Sequence, residues 1–434
     1  MAESTSHSFE TCRFCRSKNT HLVMDFGTVA LAGAFLTPAQ FETESKIPMR
    51  VVFCSDCFLL QIKDRVPPEL MFSDYFYFSS AITTLRDHFK DYAAEVTKRF
   101  LKPEKATVLE IGCNDGVLVN PFANLGIKTV IGVDPATNVV KTVNNPKVTV
   151  INDFFSEANA IKIREKYGPA DLIAANNVYA HLDDMHDVTR GIEKLLAPDG
   201  VFVFEVHYIK NLLQEKQYDM IYHEHLFYYS LLALQNFLAQ FNMEVFDVKP
   251  IPIHAGSMRY YVRRVGHLQK EKISEAVVAL RKEELASRYD HLDTYLDYAR
   301  SVAKTKDNLM LLLAKLTGEQ KRIFGYGASG RANTLIQYCG ITNEILECII
   351  DDAPAKHGYY TPGSHIRILS REHIARENPD YILVFAWSFM KEIAARNIDY
   401  LERGGKFIVP LPEVQIISMK KGEIVWERIP ESRQ

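Results

Sequence analysis

The chain has 434 residues, 47% of them hydrophobic and 24% charged, with a formal net charge of −3. That length exceeds one ordinary core and implies two or three domains, and the composition is that of a globular chain, not a disordered one. The small negative charge speaks against nucleic-acid or membrane-surface binding. No apolar run approaches the roughly 20 residues of a membrane span. The first residues, Met-Ala-Glu-Ser-Thr-Ser-His, lack the regions of a signal peptide, so a cytoplasmic protein is expected.

Residues 1–75 carry four of the seven cysteines as two Cys-x-x-Cys pairs, Cys12/Cys15 and Cys54/Cys57, among short β-like runs such as that starting at Met49. Two such pairs can set four thiolates tetrahedrally around Zn²⁺. Disulfides are the alternative, disfavoured in a reducing compartment. A site ligated only by sulfur has no open position for chemistry, so the metal is expected to be structural.

Residues 76–265 alternate strand-like runs at 106–111, 129–134, 147–151, 171–175 and 201–206 with helical stretches, the rhythm of a parallel sheet with crossover helices. The first run ends in Glu110-Ile-Gly112-Cys-Asn114-Asp-Gly116, a strand entering a glycine turn. The acid two residues before the turn is typical of S-adenosylmethionine (SAM) sites, with Asn114 where a middle glycine is usual. A phosphate loop would end in Lys-Ser/Thr, which is absent. Asp134 closes the next strand where a carboxylate can accept ribose hydroxyls. Asp153 and Phe154 suit the adenine, and Asn177 follows the strand that reaches the pocket edge. A dinucleotide fold is the alternative, but four features in this order favour SAM.

Tyr222-His-Glu224-His225-Leu-Phe-Tyr-Tyr-Ser230 then gathers two imidazoles, a carboxylate and three phenols. Imidazole suits proton abstraction near neutrality, and phenols and a carboxylate can orient a base and stabilise an oxyanion. This cluster after a cofactor loop points to an enzyme.

Residues 266–317 are rich in Lys, Glu, Leu and Ala and lack proline; Leu285, Tyr289, Leu292, Leu296 and Ala299 recur at three- and four-residue intervals. That stripe predicts an amphipathic helix, a connector or pillar between domains. Gly325, Gly327 and Gly330 open a second α/β unit, with strand-like runs at 346–351, 380–386 and 406–410. Alone, this Gly-x-Gly-x-x-Gly turn suggests an NAD-dependent oxidoreductase.

Several motifs stand in order: the cysteine pairs, Asp74-Tyr-Phe-Tyr77-Phe-Ser-Ser, Glu110-Ile-Gly-x-Asn-Asp-Gly116, Asn176-Asn-Val-Tyr-Ala-His181, Tyr222-His-Glu-His225, His254-Ala-Gly-Ser257-Met-Arg259 and Gly325-Tyr-Gly-Ala-Ser-Gly-Arg331-Ala-Asn-Thr334. Together they resemble, over nearly the whole chain, the sugar C-methyltransferases of deoxysugar pathways. The resemblance implies an α/β protein with a zinc module (1–75), a Rossmann-like class I SAM methyltransferase domain (76–265), and a helical connector with a Rossmann-like domain (266–434). It implies C-methylation of a dTDP- or GDP-linked keto-deoxysugar at C3, beside a 4-keto group, through an enolate. His225 is then the base and Glu224 its positioner, and Tyr222, Tyr77 and His181 bond the sugar and its oxyanion. His254 and Ser257 belong to the substrate loop, Arg259 and Arg331 are candidates for the diphosphate, and the C-terminal glycines enclose the nucleotide sugar without redox chemistry. Two motifs depart from the family pattern: Ala255 stands for glycine, and Arg331-Ala332 for Lys-Gly. Both bear on which sugar and base are accepted.

Overall fold

The computed structural model describes residues 8–72, 78–267 and 270–429, so Tyr77 lies outside the described residues. The first sheet is antiparallel: β1 (Thr20–Ala30), β2 (Lys46–Cys54) and β3 (Leu60–Ile62). Alternation along β2 buries Ile47, Met49, Val51 and Phe53, the two-residue period of a half-buried strand. The Cys54–Cys57 knuckle returns the chain to β3, with the Phe58 amide donating to the Cys54 carbonyl at 2.8 Å.

The central domain follows as β4 (Thr107–Ile111), β5 (Thr129–Val133), β6 (Val148–Ile151), β7 (Ala170–Asn176) and β8 (Leu196–His207). A two-residue strand, β9 (Phe227–Tyr228), leaves this domain and pairs with β3 of the first sheet. The chain then returns as β10 (Met243–Ile251) and β11 (Ser257–Arg264), giving the order β10-β11-β8-β7-β4-β5-β6. Strands β4 to β8 run parallel and β11 is antiparallel to both neighbours. Helices Thr83–Phe100 and Val119–Asn124 pack on one face, and Glu157–Tyr167 and Met185–Leu195 on the other. Coverage on both faces is why the strands read as continuous apolar runs. This is the class I arrangement expected from the sequence. Strand order reverses between β4 and β7, so the loops after these two strands open onto one crevice, the usual ligand position in such sheets.

The helical stripe divides in two. Helices span Glu275–Ala286 and Leu292–Gly318, separated by a turn in which Arg288 takes φ +57°. Leu285, read as part of the buried stripe, is 41% exposed. Tyr289 is buried in the turn, where its carbonyl accepts the Tyr295 hydroxyl at 2.7 Å; that bond replaces a helical one and lets the chain break. The second helix buries Tyr295, Tyr298, Val302, Leu309 and Leu313 and stacks Tyr295 on Phe53 of β2 at 4.4 Å. It stands as a pillar against the first sheet.

The C-terminal sheet comprises β12 (Ile323–Tyr326), β13 (Ile349–Ile350), β14 (Ile368–Leu369), β15 (Tyr381–Val384), β16 (Lys406–Val409), β17 (Gln415–Lys420) and β18 (Glu423–Arg428). Its order is β14-β13-β12-β15-β16-β17-β18, with the first five strands parallel. Order again reverses beside β12, so the glycine loop and the turn after β15 flank the second crevice. Among the described residues, no helix is long and apolar enough to cross a membrane.

Candidate active site

The loop after β4 forms a cradle that backbone geometry reserves for small or left-handed residues. Gly112 has φ +71°, and a Cβ there would lie 2.8 Å from the branched Val178 side chain. Asn114 has φ +49°, a conformation Asn tolerates better than most residues, so it can stand where glycine is usual. Gly116 has φ +84° and no room beside Asn120. Asp134 braces the loop, its carboxylate accepting the Asn114 and Ala136 amides at 2.9 Å each. Asn114 and Asp115 in turn accept the Ser79 and Ser80 amides at 3.0 and 2.9 Å, which ties the segment following Tyr77 to the cradle.

Glu110 is buried, and its Oε2 has no hydrogen-bond partner. Burial, then the nearby Asp134 and Asp115 charges, hold its carboxyl well above the usual range. Asp153 accepts the Phe154 amide at 2.8 Å and the Asn159 amide group at 2.9 Å, and the Phe154 ring is 36% exposed beside it. Asn177 turns at φ +54° and donates its backbone amide to the Glu205 carbonyl at 2.8 Å. The preceding Asn176 was not anticipated. Its side-chain oxygen and nitrogen are both buried without partners at the end of β7, a state that costs about 1–3 kcal/mol per group until a ligand supplies them. The positive-φ cradle and these orphaned polar atoms fit SAM.

The second half of the site is the turn Tyr218–Met220 and the stretch after it. The His225 Nδ1–H donates to the Met220 carbonyl at 2.8 Å, so Nε2 carries the lone pair and receives the Tyr222 hydroxyl at 2.8 Å. The His181 ring lies 4.9 Å from that of His225, centre to centre. Glu224 projects toward the N-terminal module: a Cβ added at Gly33 would lie 3.8 Å from its Oε1. His223 turns away and bonds the Pro48 carbonyl at 3.2 Å. His254 and Ala255 both take positive φ, +50° and +62°, so the family's glycine at 255 has a backbone reason and Ala255 is strained.

Burial keeps these imidazoles neutral. It lowers His225 and His254 to about 4 and His207 to about 3, and depresses His181 as well. His207, missed in the sequence, donates Nε2–H to Gln217 Oε1 at 2.6 Å. Its folded pKa lies below the unfolded value of about 6.5. The unfolded state therefore takes up the proton first, and the stability held above pH 6.5 is lost as pH falls toward 3. By that linkage His207→Gln should reduce the loss of stability between pH 7 and pH 5 by about 2 kcal/mol. Denaturant unfolding of both proteins at the two pH values checks this, and an equal loss in both would mean that His207 is protonated in the fold. Comparing the two proteins also removes the opposite contribution of Glu284, which burial raises to about 7.

The remaining candidates are held internally. Ser257 donates its hydroxyl to the Ile253 carbonyl at 3.2 Å. Arg259 is buried, bonding Glu205 at 2.7 Å and Glu95 at 3.1 Å with its guanidinium over Tyr92; it packs against the helix Thr83–Phe100 and not within the imidazole cluster. Glu205 also accepts His88 Nε2 at 2.8 Å. Arg331 pairs with Asp219, which accepts its Nε at 2.9 Å and the Trp387 indole N–H at 2.9 Å. Asp219 and Trp387 were not anticipated, because only the fold brings them together.

The four cysteine sulfurs lie within 4.8 Å of one another, none in a disulfide, with Cys12–Cys57 and Cys15–Cys54 at 3.5 Å. A ZnS₄ tetrahedron with bonds of about 2.3 Å has edges of about 3.8 Å, so the donor set fits zinc. Among the described residues no other group of three or more His, Cys, Asp or Glu side chains converges this way.

Residues 12–72, 85–248 and 252–412 match family models described respectively as a zinc binding domain, a methyltransferase domain and a C-methyltransferase C-terminal domain. The chain is 31% identical over 410 residues to C-methyltransferase NovU of Streptomyces niveus, spanning 94% of this chain and 97% of that protein. A ubiquinone biosynthesis O-methyltransferase of Caulobacter sp. (strain K31) is 32% identical over 102 residues, 23% of this chain and 40% of its own. Among solved structures, the CcbJ methyltransferase from Streptomyces caelestis is 15% identical and covers 44% of this chain and all of its own, with a TM-score of 0.34.

Proposed function

Because the chain belongs to the family of SAM-dependent C-methyltransferases that includes NovU, we propose that it methylates a nucleotide-linked keto-deoxysugar at C3, beside a 4-keto group, through an enolate. The observation that carries this reading is the tautomer of His225. Its Nδ1–H is committed to Met220, and its Nε2 lone pair points at the Tyr222 hydroxyl, leaving a neutral base beside a phenol. A carbon next to a carbonyl becomes nucleophilic only on losing a proton, so this chemistry needs that pair.

His225 Nε2 takes the C3 proton; the C–H electron pair becomes the enolate double bond, and charge moves to the C4 oxygen. Tyr222 turns its hydroxyl from Nε2 to that oxygen, joined by His181, while Glu224 and Tyr77 hold the sugar. A positioned base contributes about 10²–10⁴ in rate and one oxyanion donor about 10²–10³. SAM, when bound by Glu110, Gly112, Asn114, Gly116, Asp134, Asp153, Phe154 and Asn177, supplies the electrophilic methyl that the C3 carbanion requires.

The C-terminal unit encloses the nucleotide without redox chemistry. Lys356 Nζ sits 3.1 Å from Asp351 Oδ2, the acid that would otherwise meet a dinucleotide ribose. The open face of Gly330 is covered by the Tyr222 ring. The zinc module, the central domain and the connector with its Rossmann-like unit are taken as 1–75, 76–265 and 266–434.

Mass spectrometry of reactions with SAM and a panel of dTDP- and GDP-linked 4-keto-6-deoxy sugars tests the reading. A product heavier by one methyl group, with S-adenosylhomocysteine released and the C3–H lost, is expected. Methylation that leaves C3–H in place would refute it, as would a silent panel with SAM bound.

A further inference from the structure

The C-terminal glycine motif reads as a nucleotide loop, yet its helix Gly330–Cys339 does something else in the fold. It grips the turn that carries the Met220 carbonyl, from both sides. Arg331 bonds Asp219 with Nε at 2.9 Å. Thr334 Oγ1 donates to the Ile221 carbonyl at 2.8 Å. Tyr218 lies with its hydroxyl 3.5 Å from Cys339 Sγ and its ring 5.4 Å from that of Tyr338. Gly330 abuts the Tyr222 ring, where a Cβ would come within 3.3 Å. Residues 218, 219, 221 and 222 are thus each held by this helix, and the one between them directs its carbonyl at His225 Nδ1 at 2.8 Å.

We infer that helix Gly330–Cys339 is a splint for the base, with Arg331 and Thr334 as positioning residues that fix the Met220 carbonyl and so the orientation and tautomer of His225. The inference rests on the reading of His225 as the base. It gives the second Rossmann-like unit a part in the reaction, distinct from enclosing the nucleotide. It also reassigns Arg331: a guanidinium spent on buried Asp219 is not a diphosphate contact. Trp387 backs the same carboxylate through its indole N–H, so two C-terminal segments converge on one acid. Misplacing a base by about 1 Å can cost 10²-fold in rate without touching binding.

The test is steady-state kinetics of Thr334→Val, Thr334→Ser, Arg331→Lys and Trp387→Phe in the full chain, beside His225→Asn. Thr334→Val keeps the side-chain shape and deletes one hydrogen bond, and Trp387→Phe keeps a ring and deletes one N–H, so both spare the fold. We expect Thr334→Val and Arg331→Lys to lower kcat about tenfold or more with the acceptor KM and SAM affinity unchanged. Thr334→Ser, which keeps the donor, should restore the rate, and Trp387→Phe should show a smaller loss in kcat alone. A rise in acceptor KM at constant kcat for Arg331→Lys would overturn the inference and return Arg331 to direct substrate contact. Unchanged kcat in Thr334→Val would overturn it as well. His225→Asn keeps the failures apart: if it retains turnover, the base reading has failed, and if it is dead while the splint variants are normal, only the splint has.

Discussion

His225→Asn is expected to abolish methyl transfer while SAM binds as before. The asparagine amide can still offer an N–H toward the Met220 carbonyl, so the turn keeps its bond, but no basic lone pair remains where Nε2 stood. Loss of the base alone should remove about 10²–10⁴ in rate, and the Tyr222 hydroxyl loses the Nε2 acceptor it meets at 2.8 Å. SAM affinity should be insulated because most of the residues proposed to hold it lie in the loops after β4, β5 and β6, the first of them braced by Asp134. Isothermal titration with SAM and single-turnover assays separate the two quantities. Exchange of the acceptor's C3 proton with deuterium from solvent, run with S-adenosylhomocysteine in place of SAM, reports the base directly. Wild-type protein should catalyse it and His225→Asn should not. Near-normal turnover in the variant would move the base elsewhere, with Tyr222 the next group to test.

What the sequence disclosed and what it hid divide by range. The glycine turn after β4 was legible because its signal is local: Glu110, Gly112 and Gly116 sit on one strand and its turn, and positive φ at Gly112 and Gly116 is a demand that glycine meets at least cost. The parallel strands were legible because burial on both faces writes continuous apolar runs. β9 was not, since two residues carry no period and its pairing with β3 is decided by where the zinc module docks. The Leu285–Ala299 stripe misled because its spacing survives a turn at 287–291 that no proline marks. The sequence points to Asn177, and only the fold adds that the Asn176 amide beside it is buried and unpartnered. Arg331 and Asp219 lie far apart in the chain, and nothing short of the fold could show that the Arg331 guanidinium pairs with this acid.

Cys54→Ser, or chelation of the metal, should unfold the N-terminal module and take activity with it. Structural zinc in small modules is worth roughly 10–16 kcal/mol of apparent folding energy, comparable to or above the whole stability of a typical domain. Three sulfurs and a hydroxyl cannot replace that. The loss should reach the active site by a specific route. β3 aligns with β9 through Leu60–Tyr228 and Gln61–Phe227, and Ile62 N donates to the Leu226 carbonyl at 2.9 Å, so the strand just after His225 is moored to the zinc sheet. Phe14, beside Cys12 and Cys15, stacks on Phe237 at 4.0 Å and lies 5.3 Å from Phe227. Gly33, in the turn just beyond β1, sits against Glu224. When the module opens, the catalytic stretch loses its moorings on both sides, while β4 and β5 keep their own parallel pairing. Hydrogen exchange should therefore rise first in β1 to β3 and in 222–230, while β4 to β8 stay protected. Zinc content measured by mass spectrometry should fall in parallel with turnover. A zinc-free Cys54→Ser protein that exchanged slowly in β1 to β3 and still methylated its acceptor would show that the four thiolates are dispensable to the fold.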